Sequence, residues 1–430
     1  MTNEFEVRLA RIESILQKAL PKTADKDWIA DTFSTVDSAI QEQHFAGLIE
    51  PCAHLVSLGG KRWRPLLLVL CAELAAEHWL SLARGETDAK AGAAACEHPA
   101  ERKHRAERAV ETAYNLVPLV EFAHTASLIH DDIEDAADTR RGAPAAHITY
   151  GMDTAINAGS WLYFAATACI ETQALSVAEK NTFYALYLLE LRRLHLGQAM
   201  DILWHRNPAL IPTEDEYRAM VRNKTGTLAR MAVKIGMTAG GATATEAEAA
   251  GKIAEDIGVG FQILDDVTNL TTGNPGKKRG DDIVEGKKSL PVLIHLQKHP
   301  EDRETLAALF EEARRDGILS PAVEKAITLL TESGAVAEAE AQGAQLVAEM
   351  SRKLATFFDG ATKDCRAAAG NGCGAGGETS GATATGKSCG TGTSNAGAAA
   401  GGATAAAGGS AATSAGALIE ALFASMQKKR

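Results

Sequence analysis

Aromatic residues are scarce, at 5% of 430 positions, and no run of 18 or more apolar residues occurs in the chain. Without such a run, no segment reads as a membrane-spanning helix. Extended alternating Val, Ile and Thr stretches are missing too, so helical periods dominate and the expected fold class is all-α. Positive charge is in deficit: 44 Lys and Arg stand against 55 Asp and Glu, a formal net charge of −11. The chain therefore lacks the basic footprint that a nucleic-acid backbone demands, and any phosphate site must be local. The seven cysteines (Cys52, Cys71, Cys96, Cys169, Cys365, Cys373, Cys389) show neither the close pairs of a zinc site nor the density of a disulfide framework, which fits a reducing compartment. The first twenty residues carry Glu4, Glu6 and Glu13 in an amphipathic pattern, unlike a signal or an acid-poor transit peptide, so the expected location is cytoplasmic.

At 430 residues the chain suits one large domain or two. Helical patterning runs from about Asn3 to Leu82, gives way to a polar surface insertion at Arg84 to Arg108, and resumes at Val110, with Pro118 expected to kink it. A Gly/Ala/Thr-rich connection spans Thr238 to Glu248, and a helix is expected from Glu246 through Leu270. Thr271 to Lys288 reads as a polar, glycine-bearing loop of the kind that often holds function. Ala367 to Ser414 is almost entirely Gly, Ala, Ser and Thr, too poor in large apolar side chains to offset ordering entropy, and is expected to be disordered. A short amphipathic helix at Ala417 to Met426 follows, placed to dock back on the body.

Two acidic clusters stand in otherwise apolar stretches: His130-Asp131-Asp132-Ile133-Glu134-Asp135 and Gln262-Ile263-Leu264-Asp265-Asp266-Val267-Thr268-Asn269. Helix positions i and i+4 lie about 5–6 Å apart at Cβ, so Asp131 with Asp135, and Asp265 with Asn269, share faces that can clasp a hard cation. Either cluster alone would read as a solvated helix face; the pair, set among short basic motifs, reverses that reading. Those motifs supply Lys61 and Arg64, Arg140 and Arg141, Lys224 with Thr225, and the loop lysines Lys277 and Lys287, enough to hold two oligophosphate groups. A bare carboxylate 4 Å from a phosphate charge costs about 4 kcal/mol at an effective dielectric of 20, so cations must intervene, and Mg²⁺ suits the role because it bridges carboxylates to substrate phosphates.

Six motifs stand in order: Gly59-Gly60-Lys61-Arg62-x-Arg64-Pro65, His124-x-x-Ser127-Leu128-Ile129-His130-Asp131-Asp132-x-x-Asp135, Arg140-Arg141-Gly142, Lys224-Thr225-Gly226, Gly258-x-x-Phe261-Gln262-x-x-Asp265-Asp266 and Glu285-Gly286-Lys287. Any one is weak, but six in sequence are specific. From about Leu48 to Leu296 the chain resembles the trans-type isoprenyl diphosphate synthases, especially the geranylgeranyl branch. The resemblance implies an antiparallel helical bundle around a deep central cavity, built by residues 1–366 and 415–430 as one catalytic domain interrupted by the insertions 84–108 and 367–414. It implies Mg²⁺ held by Asp131, Asp132, Asp135, Asp265 and Asp266, with Asp131, Asp135, Lys224 and Asp265 as the catalytic set. Arg140, Lys224, Thr225, Gln262, Lys277 and Lys287 would bind an allylic diphosphate, and Lys61, Arg64, His124 and Arg141 isopentenyl diphosphate. Lys278 matches Lys277 in charge, though not by motif. The implied reaction is ionisation, condensation and elimination, in a homodimer.

Asn269 stands where many members of that family carry Asp, an oxygen ligand without the charge. Gln198 and Asp201 share a helix face and read equally as support for the site or as exposed polar residues; Arg62 reads as surface charge, and His130 has no assigned role. Ala126 and Ser127, five and four positions before Asp131, are small where shorter-product relatives place aromatics, so the cavity floor is expected lower, at Trp161, Tyr163 or Phe164, giving a C20 product. A terpene cyclase would share the acidic helices but generally lacks the counterparts of Lys61, Arg64 and Arg141; a non-catalytic regulatory subunit is opposed by intact Asp131, Asp135, Asp265 and Lys224.

Overall fold

The structure is a computed structural model that describes residues 2–82, 98–207, 210–273, 278–359 and 413–428. One compact unit comprises Met1–Phe357 and Ser414–Arg430; the second, Phe358–Thr413, lies almost wholly outside the described residues, and with it the expected disorder of 367–414. The fold is all-α. Among the described residues the one strand pairing is a hairpin of Thr139–Arg140 with Ala143–Pro144.

Helices α1 (Thr2–Ala19), α2 (Lys26–Phe33), α3 (Gln43–Ser57) and α4 (Trp63–Leu82) fill the first patterned stretch. The polar insertion needs correction: residues 83–97 lie outside the described residues, but Pro99–Asn115 forms α5. His98 caps its start by accepting the Ala100 N–H, and Pro99 occupies the first turn, where its missing N–H costs nothing. Arg102 on this polar sequence is buried, and Arg105 lies over the Trp79 ring of α4. Pro118 does not kink a helix either; it sits in the first turn of α6 (Val117–Glu134).

Beyond the hairpin come α7 (Ala146–Tyr150), α8 (Met152–Ala165), α9 (Ala168–Glu171), the long α10 (Val177–His205) and α11 (Glu214–Val221). A π-turn at Arg222–Gly226 joins α11 to α12 (Thr227–Ala239), then α13 (Ala244–Thr271) begins at a capping box of Thr243 and Glu246. The loop expected at 271–288 contains one helical turn, α14 (Asp281–Glu285). Helices α15 (Leu290–Lys298), α16 (Arg303–Asp316), α17 (Pro321–Glu332) and α18 (Ala335–Ala355) follow, and the last, α19 (Ala415–Lys428), packs on α4 and α18.

Every residue from Thr227 to Met237 is buried, so α12 is the central helix, between α4 and α13. A helix buried all round must satisfy its charges internally. Glu190 of α10, fully buried, accepts from Arg230 Nε at 3.0 Å, Lys234 Nζ at 3.0 Å and Thr227 Oγ1 at 2.6 Å, while Glu248 and Glu255 of α13 take the remaining donors of Arg230. Arg62, expected at the surface, is locked inside in the same way: it is 4% exposed and donates to Glu13 at 2.6 Å, to Glu121, and to the Val56 carbonyl at 2.6 Å. The tight turn between α3 and α4 turns its side chain inward, with Arg62 itself at φ 44°.

Replacing Glu190 with Ala strands buried cations and should cost about 3–5 kcal/mol, whereas Glu111→Ala, which breaks an exposed pair with Arg11, should cost less than about 1 kcal/mol. Urea denaturation midpoints of the two variants check the difference.

Candidate active site

One cavity of about 1030 Å³ opens among α4, α6, α8, α10, α13 and the 139–144 hairpin, and its two polar regions carry opposite charge. The cationic region grows from the α3–α4 turn. Lys61 is exposed at it, and Arg64, in the first turn of α4, lies with its guanidinium carbon 4.5 Å from the Trp63 ring centroid. Arg64 Nη1 stands 3.4 Å from His124 Nε2 of α6. Arg141, at the hairpin turn with φ 54°, donates to the carbonyls of Leu55 at 3.3 Å and of Gly59. Burial, only partly offset by Glu121 and Asp265, pushes Arg64 down to about 10. Burial likewise lowers Arg141. Burial, reinforced by Arg64, Arg141, Arg140 and Arg62, drives His124 well below its usual range, so the ring is neutral. The guanidiniums crowd one another with Glu121 as the nearby buried carboxylate, and an anion bound there would relieve them.

The acidic region faces it from the ends of α6 and α13. Asp131 Oδ1 accepts from Lys224 Nζ at 3.0 Å and Gln198 Nε2 at 3.1 Å, and Lys224 also donates to Asp201 at 2.6 Å. Lys224 rides on the π-turn, a local widening of the helix frequent at functional sites. Gly197 makes room for that turn: a Cβ there would strike the Lys224 backbone nitrogen. Burial opposes the Lys224 charge, but Asp131 and Asp201 outweigh it and hold its pKa above the ordinary value. Lys287 is held similarly by Glu285, by Asp135 at 3.3 Å and by Asp282 at 3.8 Å. On α13, Asp266 accepts from the Tyr217 hydroxyl at 2.7 Å and Gln262 at 2.9 Å, and Thr225 Oγ1 donates to Gln262 at 2.8 Å. Burial and the neighbouring Asp282 push Asp266 up to about 7.

Lys61, Arg64, His124, Asp131, Arg140, Arg141, Lys224, Thr225, Gln262, Asp265, Asp266 and Lys287 all line the cavity. Asp132 and Asp135 do not. Asp132 points beneath the wall and accepts Arg140 Nε at 2.7 Å, and the Asp135 side chain is 2% exposed against Lys287. Successive helix positions turn by about 100°, so a run of carboxylates cannot all face one cavity. Lys277 lies outside the described residues.

Asn269 needs correcting as an oxygen ligand. It is fully buried, its Oδ1 accepts the Asp282 N–H at 3.2 Å and its carbonyl accepts Gly280 N–H at 2.9 Å, so it anchors α14 instead of facing the cavity. Asp282, on that anchored turn, lines the cavity together with Glu134. Helical spacing singles out neither Glu134 within the first acidic cluster nor Asp282 within the loop, although the acidic run Asp281–Asp282 is a usable signal. Gln198 and Asp201 prove to be partners of the site. Ala126 is fully buried and off the wall, where Ser127 stands. Trp161 is no floor: it stacks on Phe33 and meets Trp28 in a separate apolar cluster, leaving Tyr163 and Phe164 on the cavity, with His130 stacked on Tyr163 at 5.7 Å.

Asp131, Glu134, Asp265, Asp266 and Asp282 on the wall outnumber Lys224, Arg140 and Lys287, and all their donors are hard oxygens. Among the described residues no three His, Cys, Asp or Glu side chains stand gathered as a closed metal site. The donor set instead fits divalent cations that take part of their coordination from a bound ligand.

Residues 46–327 match the family model described as polyprenyl synthetase. Among curated relatives, geranylgeranyl pyrophosphate synthase 2 of Zymoseptoria tritici is 37% identical over 221 residues, covering 51% of this chain and 63% of that protein. Geranylgeranyl pyrophosphate synthase D of Phomopsis amygdali is 40% identical over 187 residues, 43% of each chain. The matched stretches thus span less than two thirds of these two relatives' lengths. Among solved structures, the geranylgeranyl pyrophosphate synthetase of the archaeon Geoglobus acetivorans superposes with a TM-score of 0.61 at 24% identity over 82% of this chain and 92% of that one, a likeness of fold.

Excess buried carboxylate should be relieved by a divalent cation with diphosphate. Millimolar Mg²⁺ plus inorganic pyrophosphate should raise the melting midpoint of the wild type by several degrees, on the order of 1–3 kcal/mol, and by much less in Asp131→Asn or Asp265→Asn; scanning fluorimetry measures it.

Proposed function

Since the chain belongs to the polyprenyl synthetase family, we propose that it is a Mg²⁺-dependent trans-prenyltransferase that joins isopentenyl diphosphate to an allylic diphosphate. The observation that carries this reading is a single cavity with an acidic region and a separate cationic region. Two diphosphates differ in what they need. The leaving group must shed its charge into cations as its C–O bond breaks; the other diphosphate only has to be held still. The acidic region suits the first and the arginine region the second.

Asp131, Asp265 and Asp266 would hold Mg²⁺, which would supply positive charge to the departing pyrophosphate, while Asp132 and Asp135 behind them hold Arg140 and Lys287. Lys224, Lys287, Arg140, Thr225 and Gln262 bind the allylic diphosphate and stabilise the negative charge it gains as the allylic cation separates. Lys61, Arg64, Arg141 and neutral His124 hold isopentenyl diphosphate, so that its double bond attacks the cation. The proton then lost from the new chain goes to the released pyrophosphate. Leu128, Leu191, Leu194, Leu228 and Phe261 on the wall keep water from the cation.

We assign a C20 product, with Tyr163 and Phe164 at the floor. The catalytic body is taken as one domain of residues 1–366 and 415–430. A homodimer is supported by exposed Leu189, Leu196 and Leu203, seven residues apart on α10, with Met152 and Phe164 of α8 exposed as well. No described helix is long and apolar enough to cross a membrane, and a cytoplasmic setting suits the substrates.

Purified protein given radiolabelled isopentenyl diphosphate, farnesyl diphosphate and Mg²⁺ should yield a C20 allylic diphosphate. A cyclic hydrocarbon would identify a terpene cyclase, and no turnover a regulatory subunit. Asp131→Asn should lower kcat by about 10²-fold or more. Ser127→Phe, which fills the wall where Ala126→Phe would not, should shorten the product to C15 or C10 when dimethylallyl diphosphate is the primer, read by mass spectrometry.

A further inference from the structure

Helix α19 reaches the cavity from a part of the chain far from every motif. Both carboxylate oxygens of Glu77 on α4 accept the Ala415 N–H, at 3.2 and 3.3 Å. Gly416 lies against α18 so closely that a Cβ would strike the Ala355 carbonyl oxygen, and Gln427 donates to the Ala344 carbonyl at 3.1 Å. Held between α4 and α18, the helix presents Phe423 and Met426 one turn apart on the same side. Met426 lines the cavity. Phe423, 1% exposed, completes an aromatic triangle: its ring centroid lies 6.0 Å from Trp63 and 5.6 Å from Phe261, which are 5.3 Å from each other. Trp63 is also the ring beneath the Arg64 guanidinium, and both Trp63 and Phe261 line the cavity. The contacts run without a gap from α19 to the cationic region.

We propose that α19 sets the affinity for the second substrate: Phe423 fixes the Trp63 ring and through it Arg64, while Met426 supplies apolar wall beside them. Phe423 is a positioning residue, buried away from the substrates; Met426 is a contact residue for a hydrocarbon part. The proposal rests on assigning Lys61, Arg64, His124 and Arg141 to isopentenyl diphosphate. It favours the second substrate, because α19 packs on α4 and α18 whereas the allylic group's cations Lys224 and Lys287 are held by carboxylates of α6, α10 and the α14 turn; Phe261, the neighbour of Gln262, is its aromatic contact on the allylic side.

The test is steady-state kinetics on full-length Phe423→Ala, Phe423→Leu and Met426→Ala, with each substrate varied at saturating levels of the other. Phe423→Ala should raise KM for isopentenyl diphosphate about fivefold or more and leave KM for the allylic diphosphate within about twofold; Phe423→Leu, which keeps most of the apolar volume, should recover part of the loss, and Met426→Ala should give a smaller rise of the same sign. Should the alanine variant fail to fold, Phe423→Leu and Met426→Ala decide through the same ratio of KM changes. Equal changes for both substrates, or none, overturn the proposal while leaving the prenyltransferase reading intact. If the wild type turns nothing over, calorimetric titration with isopentenyl diphosphate replaces kinetics: weaker binding by Phe423→Leu than by wild type supports the positioning role, and equal binding or no binding to the wild type overturns it.

Discussion

The ion pairs of Lys224 hold the site together. Its ammonium joins Asp131 on α6 to Asp201 on α10, segments 93 and 23 residues from it in sequence, and its own backbone is pressed against Gly197 by the π-turn. Removing any partner would leave charge stranded in a poorly solvated pocket, which is far costlier than losing a surface pair. Lys287 repeats the arrangement with Asp135 and Asp282. The acidic region is therefore stable without ligand because its own lysines neutralise part of it. The same lysines are already desolvated and aimed at the cavity when a more negative group arrives. Little reorganisation is then needed, the condition under which fixed charges are most effective.

The two regions solve opposite problems with the same tools. At the acidic end the carboxylates outnumber the cations, and the strain shows in Asp266, pushed up to about 7 by burial and Asp282. At the other end the cations outnumber the carboxylates, and the strain shows in Arg64, pushed down to about 10 by burial. A ligand bearing metal suits the first imbalance and a bare anion the second. His124 belongs to the second, and neutrality lets it accept from Arg64 without adding to the repulsion.

Much of this was legible because a helix repeats and its motifs are short. The faces carrying Asp131 and Asp265 read directly from spacing, and Gln262 and Lys224 from the motifs that carry the family resemblance. What spacing does not carry is the identity of the element opposite. Asn269 has the right spacing from Asp265, yet α14 folds back onto it and takes its side chain as an anchor. Arg62 is one of three basic residues in four, and only the sharp α3–α4 turn decides that it is the one turned inward. Trp161, Tyr163 and Phe164 are near neighbours on α8, and their different fates depend on the packing of α2 against Trp161. Arg105 of the polar α5 lies over Trp79 of α4 and Arg102 is buried, tertiary outcomes that a local apolar period cannot register.

On the prenyltransferase reading, the apolar part of the cavity would link product length to assembly. Leu191, Leu194, His195 and Gln198 form the inner face of α10, while Leu189, Leu196 and Leu203 form an outer face that stays exposed. Phe164 of α8 lines the cavity and is 73% exposed. A floor residue so open to solvent cannot exclude water by itself, and water is what an allylic cation must not meet. Under the homodimer proposed above, a second copy that covered Phe164 would finish the floor. Product length would then be set jointly by Ser127 and Tyr163 within one chain and by whatever the other chain lays against Phe164. On this argument, substitutions on the outer face of α10 would act on product distribution as well as on association.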